Sequence, residues 1–107
     1  MEGITFERQF RTPYSEGYAI NKGEDRLGRV DLHYASEVVY GTLIVETEIS
    51  EDDISDLIEQ IDDQLVLTAD VERDDFQITV FQGKEVGFYS DDYSDEDEDA
   101  ENEAEED

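Results

Sequence analysis

Alternation of apolar and polar residues predicts strands along most of the chain. Ile4, Phe6 and Phe10 alternate with polar residues, Arg8 interrupts their apolar face, and Pro13 ends this first strand. Turn-forming residues then separate the following alternating segments. After the strand that begins at Ile4, strands are predicted at 17–20, 30–34, 38–47 and 76–80.

The segment 38–47 is the strongest strand candidate. It is rich in Val, Ile, Thr and Tyr, and apolar residues fall on both of its faces. We therefore expect it to be a central strand.

Near the end of the folded part, the strand at 76–80 is followed by a turn at Gln82-Gly83-Lys84. Val86 and Phe88 then predict the second arm of a hairpin.

One amphipathic helix is predicted to begin at Ser50. Ser50 is a good N-cap, Asp53 stands three residues later, and Ile49 and Ile54 occupy the hydrophobic-staple positions. The acids of the first turn suit the positive end of the helix dipole. The apolar stripe repeats at i, i+3, i+4, i+7 and i+11, and its members are Ile54, Leu57, Ile58, Ile61 and Leu65.

This order of elements predicts an α+β fold. We expect a small antiparallel sheet of five to six strands with one amphipathic helix packed on a face. Residues 1–90 are predicted to form one domain, while residues 67–72 fit either a helix end or a short strand. Residues 91–107 hold 12 acids and no bases, so they are predicted to be a disordered acidic tail.

Composition excludes several kinds of chemistry. The chain has no cysteine and a single histidine, His33, which rules out disulfides, thiolate metal sites and multi-imidazole sites. His33 falls opposite Leu32 and Tyr34 in its strand, which favours a surface histidine. No nucleophile or phosphate-loop motif is present. We therefore expect a non-enzymatic protein with no cofactor and no metal site.

Charge narrows the class of partner. The chain carries 33 acids against 7 bases, a formal net charge of −26. Nucleic acids and anionic membranes would be repelled, so neither is expected to bind directly. The sequence has no signal peptide or membrane-spanning segment, which predicts a cytoplasmic protein. A basic protein partner fits the charge, and the oligomeric state cannot be inferred.

The outward side of the predicted helix is the leading candidate for the partner site. Its seven carboxylates span twelve residue steps, roughly 18 Å at about 1.5 Å per residue. That density, about one charge per 3 Å, is close to the roughly 3.4 Å spacing of phosphates along one DNA strand. We therefore expect a protein-interaction module that binds a basic partner, with nucleic-acid mimicry as one form of it. The predicted partner-binding residues are Asp52, Asp56, Glu59, Asp62 and Asp63.

Two alternatives remain open at this stage. In the first, the acidic helix face is ordinary solvated surface in a salt-adapted protein of unknown role. In the second, Lys22, Arg26 and Arg29, beside Gly23 and Gly28, form an anion pocket of a small ligand-binding or enzymatic domain. Ordinary ion pairing with neighbouring acids competes with that pocket.

Overall fold

Four antiparallel strands, a helical crossover and a fifth, parallel strand build the fold. The structure is a computed structural model that describes residues 1–69 and 73–91. Neighbouring strands follow one another in sequence order across a single sheet, which confirms the predicted α+β class. The elements are β1 Ile4–Thr12, β2 Ser15–Lys22, β3 Asp25–Tyr34, β4 Val38–Val45, α1 Glu51–Ile61 and β5 Asp75–Gln82.

Short turns connect the first three strands. Pro13 ends β1 as predicted, and the hydroxyls of Thr12 and Ser15 lie 2.6 Å apart across the turn. Gly23 lies in the turn between β2 and β3 with a φ of 62°, a left-handed conformation that glycine adopts without steric cost.

The predicted hairpin at the end of the sheet is wrong. β5 pairs with β4 in parallel, and residues 83–90 form no strand. The N–H of Gly83 donates to the carbonyl of Val45 at 2.9 Å, so the chain continues along β4 where a turn was expected. A parallel neighbour needs a long connection, and the segment containing α1 provides it. β4 lies between β3 and β5, which confirms that it is not an edge strand.

α1 begins and packs as its sequence predicts. The Ser50 side chain accepts a hydrogen bond from the N–H of Asp53 at 3.1 Å, the predicted N-cap. Beyond α1, one wide π turn spans Asp62–Val66, and a 3-10 turn spans Leu67–Ala69. The extra residue in the wide turn allows both Leu65 and Val66 to be buried.

One face of the sheet and one face of α1 enclose the core. Leu57 and Ile61 on the helix are fully buried in the same cluster as Ile20, Val30 and Leu43 on the strands. Burial of each such side chain contributes about 1.5–3 kcal/mol before the entropic cost of folding. The core therefore fixes which side of α1 faces the solvent.

The register of β1 changes between Arg8 and Phe10. Arg8 pairs with Tyr18, whereas Phe10 pairs with Gly17, so one extra residue is accommodated in β1. Phe10 consequently lies on the sheet face opposite the core, over Gly17, and not on the apolar face with Ile4.

The predicted acidic tail lies outside the described residues, except for Asp91.

Candidate functional site

The outer face of α1 carries an open groove lined mainly by acids. The groove has a volume of about 500 Å³. Four of the five predicted partner-binding residues line it, with Ser55 and the half-buried Ile58 between them. Asp63 is exposed on the π turn and does not line the groove. The four acids of this groove, hereafter the α1 groove, are Asp52, Asp56, Glu59 and Asp62.

Two of the groove acids also hold the fold together. The carboxylate of Asp56 pairs with the α-amino group of Met1, and it accepts a hydrogen bond from Gln60 at 3.3 Å. The carboxylate of Asp62 pairs with the guanidinium of Arg73, at 2.9 Å between Oδ1 and Nη1. Both acids are half-buried, so they serve structure as well as surface charge.

The other groove acids have no such role. Asp52 and Glu59 are exposed, and neither carboxylate makes a hydrogen bond or ion pair with a residue in 1–69 or 73–91. Glu59 lies three residues from Asp56 and four from Asp63, spacings at which like charges on a helix repel by about 0.2–0.5 kcal/mol per pair. The arrangement therefore leaves uncompensated negative charge on the solvent side of α1.

The predicted anion pocket is only partly assembled. Arg26 and Arg29 line one cavity of about 370 Å³, together with Ile44, Phe81 and Lys84 among others. Asp31 pairs with Arg29 at 2.6 Å, and Glu46 lies 3.6 Å from Nε of Arg26. Nearby carboxylates therefore neutralise both guanidiniums.

Lys22 stands apart from Arg29. It lines a different cavity of about 540 Å³, which it shares with Arg26 and Asp53. The three predicted bases thus do not surround a single cavity.

His33 is exposed on the opposite side of the sheet from the buried Leu32, as the alternation predicts.

A buried carboxylate on β2 forms a polar network that sequence reasoning missed. Glu16 is only 6% exposed, and its two carboxylate oxygens accept hydrogen bonds from the hydroxyls of Tyr18 and Tyr34. Burial, reinforced by the charge of Glu16, raises the pKa of Tyr34 well above its usual value, and the pKa of Tyr18 is raised for the same reasons. The alternation of Glu16 with Gly17 and Tyr18 was the available signal, but it does not distinguish a buried acid from an exposed one.

The described part of the chain holds neither a metal-binding cluster nor a membrane-spanning helix. Within 1–69 and 73–91, no group of three or more His, Asp or Glu side chains is placed to hold a metal ion. No helix in this part of the chain has the length and apolar content needed to cross a bilayer. Comparison with known proteins finds no matching family model, no similar curated protein and no similar solved structure.

Proposed function

We propose that this protein is a non-enzymatic interaction module that binds a basic protein partner through the α1 groove. The observation that supports the proposal is the concentration of Asp52, Asp56, Glu59 and Asp62 along one open groove. Two of these acids are each paired with one cation, the α-amino group of Met1 and the guanidinium of Arg73. The carboxylates of Asp52 and Glu59 have no ion-pair partner in the described part of the chain, so the groove keeps a net negative charge.

Binding of a basic partner would relieve the repulsion between acids of α1 that remains in the folded protein. Glu59 repels Asp56 and Asp63 in the free protein, and each like-charge pair at this spacing weakens the helix by a few tenths of a kcal/mol. A partner that places Lys or Arg side chains in the groove replaces repulsion with attraction. Ile58 adds an apolar surface against which the methylene stems of those side chains can pack.

The test is capture of partners from a lysate by the immobilised full-length protein at low salt. We expect basic proteins, identified by mass spectrometry, that elute as the salt concentration rises. Asp52→Asn combined with Glu59→Gln should reduce capture, because these acids have no partner in the described part of the chain. Asp56 and Asp62 are left intact because their ion pairs support the fold.

A matched control separates the groove from general charge. Glu7→Gln combined with Glu24→Gln removes the same two charges at exposed positions on β1 and in the β2–β3 turn. The proposal requires that this control retain capture while the groove variant loses it. Equal loss in both variants would show that net charge attracts the captured proteins and that the groove does not.

Nucleic-acid mimicry is a narrower form of the same proposal. If the partner normally binds DNA or RNA through the same surface, duplex DNA or RNA should displace this protein from the captured partner at constant ionic strength. A partner that holds both at once would exclude mimicry and leave the groove interaction standing.

Salt adaptation is the competing account of the acidity. It predicts that the protein unfolds in dilute buffer and regains its structure at molar salt, since screening would then be needed to offset self-repulsion. Circular dichroism across a salt series measures this directly. A protein that is fully folded in dilute buffer favours the interaction module.

A further inference from the structure

The irregularity in β1 gathers two arginines on the core side of the sheet. In a regular strand, residues three apart point to opposite faces. Because the register shifts between Arg8 and Phe10, Arg8 pairs with Tyr18 and Arg11 pairs with Glu16 on the same face. Such bulges commonly re-aim side chains beside functional sites.

These side chains line a small cavity beneath the end of the helical segment. The cavity has a volume of about 200 Å³. The residues that complete its wall come from the turns after α1, and they include Leu65 and Thr68. This space is large enough for several water molecules or for a small polar molecule. The polar lining residues are Arg8, Arg11, Glu16, Tyr18 and Thr68.

The cavity has an excess of positive charge. Its one carboxylate, Glu16, already accepts from two phenols and lies 3.6 Å from Nη1 of Arg8. Arg11 makes no ion pair with any carboxylate in the part of the chain that the structure describes. In the cavity lined by Arg26, Arg29 and Lys84, by contrast, each guanidinium has a nearby carboxylate of its own.

We propose that the cavity between Arg8 and Arg11 binds a small oxyanion, the carboxylate or phosphate group of a small molecule. Guanidinium groups present paired N–H donors that match the oxygen spacing of both groups. Arg8 is paired with Glu16, whereas Arg11 has no carboxylate partner in the described part of the chain and is available to meet the ligand. The rest of the chain is strongly negative, so the attraction must come from these two side chains.

The test is a titration of the full-length protein, followed by NMR of its amide and guanidinium N–H groups. Inorganic phosphate is added in one series and acetate in another, with sodium chloride adjusted to keep the ionic strength constant. We expect saturable shifts at Arg8, Arg11 and the neighbouring residues of β2. The probe that binds more tightly identifies which oxyanion the site prefers.

Two variants locate the binding. Arg11→Gln should weaken binding about tenfold or more, which corresponds to the loss of one charge-assisted contact. Lys22→Gln removes the same charge at an exposed position that lines a different cavity, and it should bind as the wild type does. If Arg11→Gln disturbs the spectrum of the fold, Arg11→Lys replaces it and should retain part of the affinity.

Two results would overturn the proposal. One is the absence of saturable shifts with either probe. The other is an equal loss of affinity in the Arg11 and Lys22 variants, which would assign the binding to general charge. Neither result bears on the α1 groove, whose test uses a different surface and a different readout.

Discussion

Tyr34 on β3 donates a hydrogen bond to the buried carboxylate of Glu16 on β2, with 3.0 Å between the phenol oxygen and Oε2. Tyr18 donates to the other carboxylate oxygen, so each oxygen has its own phenol donor. A buried charge without such partners would cost several kcal/mol. The two phenols therefore make a carboxylate tolerable on the face that also carries the core.

Removal of one phenol should destabilise the protein. Tyr34→Phe leaves Oε2 of Glu16 without its donor, and hydrogen bonds to charged groups contribute about 1.5–3 kcal/mol. We expect the free energy of unfolding, measured with urea, to fall by about that amount. Tyr14→Phe is the control, because Tyr14 is exposed and its hydroxyl bonds to no residue within 1–69 or 73–91. Equal effects of the two substitutions would contradict the network's role.

The same phenols should make stability fall at alkaline pH. The folded state raises the pKa of Tyr34 and of Tyr18, so the folded protein keeps protons that the unfolded chain loses above about pH 10. Their contribution is complete below that pH and declines as the pH rises through the folded pKa values. Urea unfolding at a series of pH values, with tyrosinate absorbance as a second readout, measures this.

The double variant Tyr18→Phe, Tyr34→Phe isolates that titration. It cannot lose these two protons, so its stability should fall less steeply above pH 10 than that of the wild type. Identical slopes in the two proteins would mean that other groups cause the alkaline loss.

Gly28 on β3 should not tolerate a side chain. A Cβ at this position would overlap the carbonyl oxygen of Ile44 on β4, and backbone atoms within a sheet cannot move aside cheaply. Gly28→Ala is expected to lower the free energy of unfolding by about 1–3 kcal/mol or more. Gly83→Ala provides the comparison, since nothing lies within 4 Å of a Cβ there. A stable Gly28→Ala protein would show that the two strands can separate locally.

Charge reversal at Glu59 should stabilise the fold and weaken partner binding together. Glu59→Lys replaces repulsion from Asp56 and Asp63 with attraction, for a gain of about 0.5–1 kcal/mol at low salt. The gain should shrink at high salt because exposed charges are screened. Urea unfolding and lysate capture measure the two effects. Glu7→Lys, which makes the same charge change at an exposed position on β1, should leave capture unchanged.

Local signals explain why α1 could be predicted from sequence. Ser50 satisfies a free backbone N–H at the helix start, and Leu57 and Ile61 recur at the helical period. Each of these features acts over a few residues, so it can be recognised without knowledge of the rest of the fold. The alternation in β3 and β4 was readable for the same reason.

Non-local choices escaped the same reasoning. The alternation of Val86 and Phe88 suits a hairpin, yet the edge beside β4 is taken by β5 in parallel. The extra residue in β1 reverses the face on which every later residue of the strand lies. Simple alternation therefore predicts the wrong face for Phe10 and does not bring Arg11 beside Glu16. Among candidate sites, the acids of α1 were identified correctly as outward-facing, except that Asp56 and Asp62 also pair within the fold.

The parallel pairing of β4 with β5 also sets an order on folding. Strands β1 to β4 meet through short turns, whereas Val38 and its β5 partner Asp75 are far apart in sequence. Closing that long loop costs chain entropy, which the packing of α1 and the pairing of β5 with β4 offset. The meander is therefore free to assemble first, and the final strand joins once the helix has docked, so the amide hydrogens of β5 gain protection from exchange last.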